Sequence, residues 1–120
     1  MAARNIIFSD DTLFQETGTS FVTKKSFRVV SDSVAPATSW RAVFSLRNAG
    51  TAGQASCRVT VGSDVSTIVT TTVVTETILS ITFTNTNPTN TLLTAKFDIK
   101  VDVAGPIAEI KYTDLYALLT

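Results

Sequence analysis

The chain has 120 residues, ten Lys plus Arg balanced by ten Asp plus Glu, no His and a single Cys, Cys57. A chain of this length forms one domain and buries about two-thirds of the surface its unfolded form exposes, so it needs no disulfide or metal to hold together. Zero net charge argues against a nucleic-acid partner, which needs clustered Lys and Arg; the lack of His removes the Ser-His-Asp and Cys-His nucleophile systems and, with one Cys, the usual zinc sets.

Composition sets the fold class. There are 21 Thr, 13 Val and 8 Ile, and β-branched side chains suit pleated sheets better than helices. Residues 1–18 come first. Ile6-Ile7-Phe8 and Leu13-Phe14 are two short apolar pieces around Asp10-Asp11. Neither alternates long enough to specify a register strongly. They form either an edge strand of their own domain or an arm exchanged between subunits, adding a strand to a neighbour's open sheet edge. The apolar run here is too short for a secretory signal. No run in the chain approaches the 18 apolar residues of a membrane helix, so membrane insertion is not expected.

Residues 19–120 read as strands separated by turns. Residues 21–31 carry Lys24, Lys25 and Arg28, expected on a solvated sheet face. In 39–47, Trp40, Ala42, Phe44 and Leu46 share one face; in 55–61, Ala55, Cys57, Val59 and Val61 do, which makes Cys57 a core residue. Residues 65–72 form the next strand, and 76–84 turns Leu79, Ile81 and Phe83 inward. The clearest alternation is 93–103, with Leu93, Ala95, Phe97, Ile99, Val101 and Val103 on one face and Thr94, Lys96, Asp98, Lys100 and Asp102 on the other. The last strand, 107–119, breaks phase near Thr113-Asp114. Gly, Asn and Pro mark the connections at 32–38, 48–53, 61–64, 85–90 and 104–106. Seven strands plus an N-terminal candidate give an all-β fold, an antiparallel two-sheet β-sandwich of 7–8 strands.

No catalytic set is expected. Asp98, Asp102, Glu109 and Asp114 could supply a carboxylate pair, but the outward phase of Asp98 and Asp102 beside Lys96 and Lys100 points to cross-strand ion pairs. No phosphate-binding glycine loop is present, and no cofactor or metal is implied. A sugar-binding reading would use Trp40, Tyr112 and Tyr116 as platforms, with Asp10 and Asp11 or Asp32 and Asp64 holding calcium. Each has a plainer role: Trp40 shares phase with Phe44 and Leu46, the tyrosines lie on the terminal strand, and the acids are isolated turn residues.

The order of segments and the closing hairpin, Leu92-Leu93-Thr94-Ala95-Lys96-Phe97-Asp98-Ile99-Lys100 then Pro106-Ile107-Ala108-Glu109-Ile110-Lys111-Tyr112, resembles small jelly-roll domains. Such domains occur in viral and phage structural proteins, archaeal extracellular filament subunits and some carbohydrate-binding modules. The resemblance implies a subunit of a virion or surface filament, assembling with copies of itself and with other virion proteins. A chain that opens on its own Met without a signal favours the virion. Ile6, Ile7, Phe8, Leu13 and Phe14 are the expected assembly residues, and the Thr-rich 65–77 stretch is a second candidate interface. The alternative is a carbohydrate-binding module.

Overall fold

The structure, a computed structural model, describes residues 3–30 and 37–119. Ten strands follow one another without a helix among the described residues: β1 (Ala3–Asp10), β2 (Phe14–Glu16), β3 (Val22–Val30), β4 (Ser39–Asn48), β5 (Ala55–Val61), β6 (Asp64–Val65), β7 (Val69–Thr71), β8 (Thr77–Thr84), β9 (Leu92–Val101) and β10 (Ala108–Leu119). They make two antiparallel sheets. Sheet A runs β1-β10-β4-β8, with β2 also on β10; sheet B runs β3-β9-β5-β6, with β7 also on β5.

The strand count exceeds the expected seven or eight because two strands are each split. Between β1 and β2, the Asp10 carboxylate accepts bonds from Thr12 N (3.2 Å) and Thr12 Oγ1 (3.0 Å), a local turn that competes with the ladder. The expected strand at 65–72 breaks where the buried Ser66 Oγ accepts from Val59 N at 2.9 Å and donates to the Thr67 carbonyl at 2.8 Å. Taking each split pair as one strand leaves four nested partnerships: first with last (β1/β2 on β10), then β3 with β9, β4 with β8, and β5 with β6/β7. A long antiparallel ribbon rolled so that its pairs alternate between two sheets is a jelly roll.

The core forms where inner faces meet. Trp40, Ala42, Phe44 and Leu46 of β4 are buried, as are Cys57 and Val59 of β5 and Phe97 and Ile99 of β9. Phe44 and Phe97 meet edge to face across the sheets, their ring centroids 6.3 Å apart. Truncating either would cost about 3–5 kcal/mol. β8 is only half-buried on its inner face, through Leu79, Ile81 and Phe83, because it is an edge strand. Val103, expected on the core face, is exposed because β9 ends at Val101 and the chain turns away. The irregularity of β10 lies between Ile110 and Thr113, slightly earlier than its sequence phase indicates.

Two connections hold the far end. The buried amide of Asn48 donates to the carbonyls of Thr51 (2.7 Å) and Gly53 (3.2 Å) and accepts from Gly50 N (3.0 Å) and Ile107 N (3.1 Å). The loops after β4 and β9 thereby become one unit. They approach so closely that a Cβ on Gly50 would lie 2.5 Å from the Gly105 carbonyl. Gly62, at φ +61°, makes the tight turn from β5 to β6.

Candidate assembly surface

The five expected assembly residues all fall on or beside β1 and β2, which line one edge of sheet A along β10. Ile6 occupies the register position opposite Tyr116; a bulge follows, and Phe8 then pairs opposite the buried Leu115. The Phe8 ring turns under the sheet and stacks on Phe27 of β3, centroids 3.7 Å apart and planes within 3°. Phe8 thus bridges sheet A to sheet B at their shared side, 6.5 Å from Phe97. Ile7 and Phe14 also pack on the core, whereas Leu13, in the break between the strands, is 46% exposed. The structure therefore packs Ile7, Phe8 and Phe14 against the sandwich and leaves Leu13 outward.

Lys25 holds this edge. Its expected place on a solvated face is wrong: it is 4% exposed, because it keeps the inward phase of Phe27 and Val29, the bulge of β3 lying just before it between Thr23 and Lys25. The ammonium forms an ion pair with Asp10 Oδ2 at 2.7 Å and donates to the Lys111 carbonyl at 2.5 Å and to Thr113 Oγ1 at 3.0 Å. Its charge also lies 5.8 Å from the Phe14 ring centre. One side chain from sheet B therefore touches β1, β2 and β10 of sheet A. The ion pair with Lys25 and the bonds from Thr12 hold the Asp10 carboxyl below the usual carboxylate range, against a smaller opposing effect of burial. Nothing in composition marks this role. The phase does, since Lys25 is spaced with the inward-facing Phe27 and Val29.

A second network fastens β2. Glu109, nearly buried on β10, takes a two-pronged contact from Arg47 (Nε to Oε1 2.7 Å, Nη2 to Oε2 3.2 Å) and a bond from Gln15 Nε2 at 2.7 Å. The Arg47 contact, followed by the Gln15 bond, holds the Glu109 carboxyl below its ordinary value. Past β2, the link to β3 is pinned where the Gly18 carbonyl accepts from Val101 N at 3.0 Å.

The remaining candidates separate. Asp98 pairs across strands with Arg58 at 3.1 Å and accepts from Thr23 Oγ1 at 2.6 Å on the outside of sheet B; the expected ion pairing is made, with Arg58 in place of the neighbouring lysines. Asp102, expected in a similar ion pair, lies just past the end of β9 and instead accepts from Gln54 N at 2.8 Å; Asp114 accepts from Ser9 Oγ at 2.7 Å. Trp40 is 2% exposed in the core and offers no platform to a sugar. Tyr112 is exposed beside the β10 irregularity, and Tyr116 lies farther along on the outer face, opposite Arg41. Tyr112 does line an open depression of about 470 Å³ with Ser9, Asp10, Asp11, Thr113 and Asp114. Among the proposed calcium ligands, Asp10 is engaged by Lys25, Asp64 binds Thr86 and Asn87, and Asp32 lies outside the described residues. Among the described residues no three acidic, His or Cys side chains gather to hold a metal. Cys57 is fully buried, and burial pushes its thiol pKa far up. No helix of the described residues is long and apolar enough to cross a membrane.

No known family model matches this chain, and no curated protein matches it significantly.

Proposed function

We propose that this chain is a structural subunit that assembles with copies of itself, in a virion or a surface filament, by exchange of its N-terminal arm. The observation that carries the reading is the way the arm is held. Besides the backbone ladder on β10, β1 and β2 are anchored by side chains of other segments: Phe27 and Lys25 on β3, Glu109 and Asp114 on β10. An arm crossing to a neighbour would find the same anchors there, so exchange would cost little contact energy and would link subunits. Jelly rolls serve in capsids and in lectin domains alike. The test is a disulfide placed at the register pair Ser9→Cys with Asp114→Cys, in a Cys57→Ala background. Exchanged arms yield a ladder of covalent oligomers on a non-reducing gel; a single-chain band alone refutes exchange.

The carbohydrate-binding reading retains one observation, the Tyr112 depression with Asp11 and Asp114 on its rim. A glycan array with and without calcium, set beside light scattering, separates the two. A monomer that binds a sugar and loses it with Tyr112→Ala would favour the alternative.

A further inference from the structure

The two sheets have four edges, and three of them carry features that obstruct pairing with another chain. β1 is bulged between Ile6 and Phe8 and ends in Asp10. β3 is bulged between Thr23 and Lys25 and bears Lys24 and Arg28. The outer neighbours of β5 are only two and three residues long. β8 has none of these features. Its sequence, TILSITFT, holds no charge, Pro or Gly over eight residues, and it keeps unbroken register with β4 from Thr77 to Thr84. Such a segment is a ready template for a further strand.

Exposed aliphatic side chains lie on β8 and on the segment that begins at β6. Ile78 is 59% exposed, Val65 56% and Ile68 54%. Val65 belongs to β6, which lies under β8 and is tied to its far end where Asp64 Oδ2 accepts from Thr86 N at 2.7 Å. Ile78, opposite Ser45, and Val65, opposite Thr60, lie on the outer faces of sheets A and B, so what this side offers a partner is the open backbone edge of β8 with β6 close beneath it.

We propose that this edge is a homodimer interface, in which β8 of one copy pairs antiparallel with β8 of a second copy about a two-fold axis normal to sheet A. The inference rests on the self-assembly reading and adds a contact separate from the arm. A second copy's β8 is the occupant that fits best. Its edge is equally flat and uncharged, so no like charges meet across the pair. The β1 and β3 edges of another copy would bring bulges, Asp10, Lys24 and Arg28 against it. Glu76, the charge next to β8, falls at opposite ends of the antiparallel pair, roughly 25 Å from its counterpart at about 3.4 Å per residue. That exceeds the screening distance at physiological salt, about 8 Å. The axis keeps both B sheets on one side, so β6 of each copy lies beneath the joined strands.

Analytical ultracentrifugation over a wide concentration range tests the interface. The wild-type protein forms dimers, and Ile78→Lys combined with Thr82→Lys weakens them at least about 100-fold by setting like charges across the pair. Both side chains are exposed, so the circular-dichroism melt of the variant monomer stays near that of the wild type. Amide exchange across 77–84 slows as wild-type concentration rises and is independent of concentration in the variant. Dimers of unchanged affinity in the variant, or wild-type exchange in β8 that ignores concentration, overturn the proposal. The Ser9→Cys/Asp114→Cys ladder reads the arm independently: a ladder with no effect of the β8 variant sinks this interface alone, and β8-dependent dimers without a ladder sink only the exchange.

Discussion

The two side walls of the sandwich are built on opposite principles. On the β1/β2–β3 side, aromatic rings and a buried ion pair join sheet to sheet: Phe8 stacks on Phe27, and Lys25 reaches across to Asp10, Lys111 and Thr113. On the β8–β6 side the described contacts between the sheets are polar bonds at one end, where Asp64 accepts from Thr86 and Asn87, and Ile78, Val65 and Ile68 are exposed. The difference teaches that closure of one wall is encoded in stacked rings and a buried ion pair, while the other relies on the backbone ladder of β8 on β4 and a polar cluster at its end. The first wall resists separation through specific chemistry; the second has apolar surface still to bury.

Substitutions should separate the walls. The largest effect is expected at Lys25→Ala, which strands the Asp10 carboxylate and the Lys111 carbonyl; removing one partner of a buried pair costs about 3 kcal/mol, a fall of about 10 °C in Tm by calorimetry. A loss below about 1 kcal/mol would show that the wall does not depend on this ammonium. Phe8→Ala comes next, at about 2 kcal/mol because the ring is half-buried, and it should speed amide exchange in β1 before β8. Acid acts on the same wall more gently. Because Asp10 and Glu109 have depressed folded-state pKa values, their stabilisation is complete above the ordinary carboxylate range and is lost as pH falls through the lower folded values. Urea midpoints should be flat near neutrality and drop below about pH 4, with the drop reduced in Lys25→Met; an identical drop would assign the acid response elsewhere. The smallest effect belongs to the other wall: Ile78→Thr should change the monomer's stability by less than about 0.5 kcal/mol, since the side chain has little to lose.

What the sequence disclosed depended on whether the phase of alternation was continuous. β4 and β9 alternate without interruption along their buried stretch, and Trp40 to Leu46 and Leu93 to Val101 are inward as their period requires. β3 has a one-residue bulge, and reading its lysines by charge alone put Lys25 in water although its spacing with Phe27 and Val29 places it inside. The split of the 65–72 segment was hidden because a serine side chain, Ser66, takes over a ladder bond that periodicity assigns to backbone. The arm residues were visible as apolar clusters, but their anchors are about a hundred residues away in sequence at Glu109 and Asp114, and no local pattern names such partners.

The nested pairing has a consequence for synthesis. β1 lies on β10, so the first strand of the sandwich is matched to its last. At about 5–20 residues per second a ribosome takes several seconds to produce the intervening hundred or so residues. Throughout that interval the leading segment has no partner in its own polypeptide, while any finished molecule nearby that has released its first strand presents a vacant seat. On the proposed exchange, crowded translation on a shared message would therefore favour crossing over between neighbours, and dilute refolding would favour self-closure.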